Sequence, residues 1–189
     1  MPTIDELFAL VKPFLRIFYV SQINAFKSYN SLPPEFLVDA SKGARAHAIH
    51  DLSVKNAARE VESVTGIRVT EHDGLFLFTI REKVTVRFKK LDERFRSSNI
   101  ETQQVFDFQH QYNLPEIPKT MHLEVGYRLN YLETEIEGIY LVWPNGKRIR
   151  KVWSIQPGVD NVVKIGRAPA HPTFTLHEEE LTKRKIKEE

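Results

Sequence analysis

Hydrophobic and polar positions change their main period near residue 66 of this chain. Before that point Ile4, Leu7, Phe8, Val11, Phe14, Leu15, Phe18 and Tyr19 recur at the spacing of one face of an amphipathic helix. Thr3 and Glu6 stand three apart at its start, the spacing of a capping box in which hydroxyl and carboxylate each take an orphan amide. Pro13 lacks the amide that the helix needs there and predicts a kink or a break. Asn30, Ser31, Pro33 and Pro34 predict a turn over Tyr29 to Pro34. A second helix is expected from about Lys42 to Val64, its stripe made by Ala44, Ala48, Leu52, Ala58 and Val61. Gly66, which tolerates the left-handed conformation, would end it.

From Ile67 onward the pattern is that of strands. Leu75 to Ile80 is a short apolar run preceded by Asp73-Gly74. Lys83 to Lys89 alternates, with Val84, Val86 and Phe88 on one face and Lys83, Thr85, Arg87 and Lys89 on the other, taken here as the solvent face. Arg81 to Lys83 would turn between the two. Asn99 to Tyr112 reads as a helix capped by Asn99, with Val105, Phe106 and Phe108 apolar, and Leu114-Pro115 to Pro118 as a loop. Met121 to Asn130 and Glu135 to Trp143 read as strands.

Pro144-Asn145-Gly146-Lys147 is the sharpest local signal, because Asn-Gly between β-prone residues favours a two-residue hairpin turn. A four-residue loop would change the pairing, whereas the two-residue register sets Trp143 opposite Arg148, Leu141 opposite Arg150 and Ile139 opposite Val152. It sets Val142 opposite Ile149 and Gly138 opposite Trp153 on the other face, which is the more apolar and is expected to face the core.

The elements together predict an α+β fold: N-terminal helices, then a mostly antiparallel sheet of about five strands with an inserted helix. A single domain would span 1–158, helical over 1–65 and β-rich over 66–158. Residues 159–189 would form an irregular segment and a charged tail from Leu176. No repeat is visible. Leu7 to Val20 is too short and too interrupted by Lys12, Pro13 and Arg16 to cross a bilayer, and Asp5 and Glu6 stand where a signal peptide would be basic. A cytoplasmic protein is expected. With no cysteine in 189 residues, disulfides, thiolate metal sites and a cysteine nucleophile are excluded. A net charge of +2 is too small to imply a partner.

Charge is nevertheless uneven. Arg81 to Arg96 holds seven basic residues against three acidic, and Lys83, Arg87 and Lys89 would line one strand face, with Lys90 beside them. The hairpin adds Lys147, Arg148, Arg150 and Lys151. Such a row suits phosphates or an acidic partner, although lysines on an exposed strand also simply block edge pairing. Glu133, Glu135 and Glu137 would share a strand face and pair with cross-strand arginines, each worth ~0.2–1 kcal/mol; a flat strand does not converge ligands on a metal. His47 and His50 stand three apart on the second helix with Asp51 beside them and could share one side of it, but a catalytic zinc site needs three converging ligands and an open position. Arg45 and His50 match the short Arg…His motif of HEPN-type ribonucleases, in which histidine acts as acid or base on a ribose hydroxyl, though those domains are all-helical. Glu82-Lys83 breaks the spacing of a restriction-type nuclease. No Gly-x-Ser-x-Gly turn and no phosphate-cradling glycine loop occurs. No metal and no cofactor is expected.

Arg87-Phe88-Lys89-Lys90-Leu91-Asp92, Asn99, Thr102-Gln103-Gln104, Gln111, Leu114-Pro115 and Gly126-Tyr127 form a pattern that resembles a family of uncharacterised bacterial and prophage proteins. The resemblance covers about 45 residues and carries no known chemistry. It implies a gene neighbour of the helix-turn-helix/zinc-peptidase type, an arrangement similar to Rosmer-type toxin–antitoxin modules in which that neighbour is the antitoxin. Asp92 and Asn99 would fix a turn through backbone amides, with Gln103 and Gln104 bonding the same loop; the segment could equally present a binding surface. Three readings follow: a toxin-like or phage-defence effector acting by binding to protein or nucleic acid and neutralised by a cognate antitoxin, a metal-independent ribonuclease using Arg45 and His50, or a nucleic-acid-binding module using the basic β-face.

Overall fold

The computed structural model describes residues 3–72, 74–97, 102–114, 118–156 and 163–165. The Asp73, Asn99 and Pro115 expectations and the charged tail lie outside them. The order is α1 (Ile4–Val11), a 3-10 turn (Lys12–Phe14), α2 (Leu15–Asn30), α3 (Pro34–Val38), α4 (Lys42–Val61), β1 (Ile67–His72), β2 (Leu75–Ile80), β3 (Val84–Lys90), α5 (Gln103–Gln109), β4 (Met121–Leu129), β5 (Ile136–Asn145), β6 (Arg148–Ile155) and β7 (Val163–Ile165). The fold class is α+β as expected.

Local chemistry explains most boundaries. Thr3 Oγ1 accepts from Glu6 N at 3.2 Å and Glu6 Oε2 accepts from Thr3 N at 2.7 Å, completing the capping box. Pro13 breaks the first helix into α1 and α2 through the 3-10 turn. Pro34 does not merely stop a helix: it begins α3, where its missing amide is an orphan anyway. The buried face of α4 is Ile49, Ser53, Val54, Ala57 and Val61; of the expected stripe Val61 is buried, Ala48 and Leu52 pack at the edge of the core, and Ala44 is exposed.

The sheet has seven strands in sequence order β1 to β7, antiparallel throughout except for the β3–β4 pair. Helices α1, α2 and α4 cover one face. Phe18 of α2 meets Phe78 and Phe88 with ring centroids 5.4 Å away, and those two rings lie 5.1 Å apart. A parallel pair requires a crossover, and the 91–120 segment carrying α5 supplies it. Its described residues lie over the second face, where Leu91 and Phe95 pack on Tyr140, Val142 and Val152, while Phe108 and Leu114 pack on Leu77. Both faces of the central strands are therefore buried.

The hairpin departs from the expected register. Asn145 pairs Arg148 across a Gly146-Lys147 turn, and the register shifts between Trp143 and Pro144. Pro144 has no amide for the ladder. Gly146 donates to Gln109 O at 2.8 Å and sits where a Cβ would lie 2.6 Å from His110 Nε2, so α5 fixes the tip. Val142 now pairs Val152, and Leu141 pairs Trp153. Trp153 and Val142 are both buried, but on opposite faces rather than together. Helix α5 is also shorter than expected. Thr102 caps it, accepting from Val105 N at 3.3 Å, and of its apolar residues only Phe108 is buried.

Candidate functional site

The expected basic strand face is overturned at its centre. Alternation places Arg87 away from Val86 and Phe88, but the crossover covers that side, and Arg87 is 0% exposed. Strand pairing sets it beside Glu124 of β4, also buried. Arg87 Nε and Nη2 donate to Glu124 Oε1 at 3.0 and 2.6 Å. Ser97 Oγ donates to the same oxygen at 3.0 Å, and Gln109 Nε2 donates to Ser97 Oγ at 3.3 Å. The Phe108 ring lies over the guanidinium, 4.1 Å from Cζ, a cation–π contact in a dry setting. This is an internal network that ties the crossover to the sheet.

His122 occupies the same face of β4, beside Thr85. Its ring stacks on Phe108 at 4.6 Å, and Nδ1 lies 3.1 Å from Phe108 O. A carbonyl only accepts, so neutral His122 carries its proton on Nδ1. Burial pushes its pKa down to about 4; the Phe108 carbonyl opposes that and the Arg87 charge adds to it. Between pH 4 and the ordinary 6.5 the unfolded chain takes a proton that the folded chain refuses. Stability therefore rises with pH across that window and falls on acidification, by about 3 kcal/mol from this group. Urea unfolding at pH 4 to 6.5 is expected to show a shallower slope for His122→Gln than for wild type; equal slopes would refute the assignment.

The remaining members of the expected surface are dispersed. Lys89 is half-buried, its pKa pushed down to about 8 by burial and then by the Arg87 charge, with Glu124 opposing. Lys90, on the opposite face, pairs with Glu133 at 3.2 Å. Arg148 and Arg150 are exposed, but register puts the hairpin tip at the end of the sheet where β3 begins, away from Lys89 and Lys90. Arg150 lies over Trp143 at 4.4 Å. Asp92 does fix its turn: Oδ1 accepts from Arg94 N and Arg96 N, both at 2.8 Å. Gln103 donates to Asp107 on its own helix at 2.7 Å rather than to that loop, and Gln104 is half-buried on α5. The glutamines that hold the crossover are Gln109 and Gln111. Gln111 Nε2 donates to His122 O and Pro144 O at 2.9 and 3.0 Å, and its Oε1 accepts from His122 N at 2.8 Å. Asn99 lies outside the described residues.

A different place concentrates accessible chemistry. At the carboxyl ends of the parallel strands, the end of α2, α3, the start of α4 and the β4–β5 turn enclose a cleft of about 450 Å³. The turn is pinned by Asn130, whose Oδ1 accepts from Thr134 N at 2.8 Å and whose amide donates to Thr134 Oγ1 at 2.9 Å. Glu133 holds a left-handed φ of 56° there. Lys42 Nζ and Lys90 Nζ lie 3.4 and 3.2 Å from Glu133 Oε1, and Arg45 Nη2 donates to Glu133 O at 2.6 Å. Partial burial pushes the Glu133 pKa up, but the Lys90 and Lys42 contacts outweigh it and hold it below the ordinary value. The expected acidic strand face does not form, since Glu133 and Glu135 precede β5; Glu137 pairs with Arg128 at 2.6 Å.

Arg45 and His50 are not brought together. Five residues on a helix set them roughly 140° apart. Arg45 turns to Glu133 and lies over Phe26 and Tyr29 at 5.4 and 5.7 Å, whereas His50 Nδ1 lies 3.2 Å from Asp51. Among the described residues no group of three His, Asp or Glu side chains could hold a metal, and no helix is long and apolar enough to cross a membrane. No protein family model, curated protein or solved structure matches the chain.

Proposed function

We propose that this protein is a toxin-like effector that acts by binding, that a cognate antitoxin neutralises it, and that its working surface is the cleft end of the molecule rather than the basic strand. The observation that carries this reading is apolar exposure concentrated there. Tyr131 is 96% exposed and Leu132 73%, on a turn that Asn130 holds rigid; Phe36 is 67% and Val38 81% exposed on α3, flanking Leu37 of the cleft wall. Large apolar side chains held out in a group on a fixed frame mark an interaction surface. Binding rather than catalysis is favoured because buried Arg87 and Glu124 are spent on each other, and Arg45 and His50 share no partner.

The test is expression of the chain alone and together with the helix-turn-helix/zinc-peptidase-like protein that the sequence resemblance implies. Growth is expected to stop in the first case and recover in the second. Phe36→Glu/Leu132→Glu, at two exposed positions where stability should change by no more than about 0.5 kcal/mol each, is expected to abolish capture by that partner. Normal growth on expression alone would overturn the reading.

A further inference from the structure

Three cations meet Glu133 at the cleft, Lys42 and Lys90 on its carboxylate and Arg45 on its main-chain carbonyl. Arg45 Nε is buried without any acceptor. A buried charged donor left unpaired is costly, and its persistence calls for an explanation. The site thus has spare positive charge and spare hydrogen-bond donors. The residue that partly satisfies them, Glu133, belongs to a short turn in a left-handed conformation, not to a packed strand. A second feature is independent of the charges: the cleft lies outside the carboxyl ends of β3 and β4, the one parallel pair among the described strands. The amino end of the 20-residue α4, with Lys42 in its first turn, opens on the same space and adds a favourable dipole for an anion. A third feature is aromatic. The ring of Tyr131 stands in solvent beside the cations, and Tyr29 lines the wall. A cleft of about 450 Å³ falls within the size range of small-ligand sites.

We infer that the cleft binds a nucleoside phosphate, with Lys42 and Lys90 holding the phosphate in place of the Glu133 carboxylate, Arg45 adding its charge from the Glu133 carbonyl, and Tyr131 stacking on the base. Glu133 is then an internal stand-in for the ligand: it keeps the cations ordered when the cleft is empty and yields to a group carrying up to two negative charges. Stacking on an exposed ring accepts any base, so selectivity lies in the phosphate rather than in base identity. The inference stands on the cleft alone and is independent of whether the protein slows growth.

Calorimetric titration of the full chain with adenosine 5′-monophosphate, adenosine, inorganic phosphate and a short RNA with and without a 5′-phosphate tests it. The monophosphate is expected to bind at least tenfold more tightly than adenosine and than inorganic phosphate. Lys42→Ala, at a side chain that is 83% exposed, is expected to weaken binding about tenfold with an unchanged melting temperature. Tyr131→Ala should weaken the monophosphate but not inorganic phosphate. Glu133→Gln is the decisive variant: removal of the competing carboxylate is expected to tighten the monophosphate several-fold, whereas a merely structural ion cluster would lose order and bind no better. Preference for the free nucleotide or for the phosphorylated RNA end identifies the source of the ligand, and either supports the site. Absence of binding to both wild type and Glu133→Gln, each with a native circular dichroism spectrum, would overturn the inference. So would equal affinity for adenosine and its monophosphate.

Discussion

Arg87→Ala is expected to destabilise the fold by about 3–5 kcal/mol, because it leaves the buried Glu124 carboxylate without its counter-charge. Ser97 Oγ still donates to that oxygen, but one hydroxyl cannot replace two charged donors. The same change empties the space beneath Phe108, which loses its cation and one packing surface. For a domain whose whole stability is about 5–15 kcal/mol, this is a large fraction. The apolar pair Arg87→Met/Glu124→Leu is expected to cost much less than Arg87→Ala, since removing both charges also removes their desolvation. Arg87 Nη1, buried and unpartnered in the native protein, adds to the relief. Urea unfolding of the single and double variants gives the comparison. A double variant less stable than the single would mean that the network is worth more than its burial costs. An Arg87→Ala variant within about 0.5 kcal/mol of wild type would mean that the site is solvated.

That expectation reverses what the strand pattern alone suggests, and the reason is physical. Alternation says which residues of β3 share a face; it does not say whether that face is covered. Val84, Val86 and Phe88 were legible as core because apolar residues at period two must be buried somewhere. Arg87 was legible only as belonging to the other side. Whether it meets water depends on the β3–β4 connection, and that depends on the strands being parallel, which neither strand's residues encode. A signal did exist: Glu124 is a lone carboxylate between Leu123 and Val125, the counterpart of Arg87 between Val86 and Phe88. Opposite charges centred in two apolar strands are the pattern of a cross-strand buried pair. The cleft was less legible still. Lys42, Arg45, Lys90 and Glu133 are separated by up to 91 residues, and only the tertiary fold brings them together. What local chemistry controls was legible: the Thr3 capping box, the break at Pro13, the turn at Asp92. The hairpin turn was placed one residue early because contacts from Gln109 and His110 to Gly146 outweigh the preference of Asn-Gly itself.

Trp153→Ala is expected to cost about 3–5 kcal/mol. The side chain is 0% exposed and is the largest fully buried one among the described residues. It projects from β6 toward the helices and stacks on Phe8 of α1 with centroids 5.6 Å apart and planes 23° from parallel. It therefore joins the last long strand to the first helix, across almost the whole sequence. Truncation leaves a cavity beside Phe8 of α1. Trp153→Phe is expected to cost far less than the alanine variant. Trp153 Nε1 is buried without an acceptor, so phenylalanine removes an unsatisfied donor while keeping a ring against Phe8. Double-mutant cycles then test the face assignment. Trp153→Ala and Phe8→Ala should be non-additive by more than about 0.5 kcal/mol, whereas Trp153→Ala and Phe95→Ala, on opposite sides of the sheet, should add. Coupling to Phe95 and not to Phe8 would place Trp153 under the crossover, and the hairpin register described above would then be wrong.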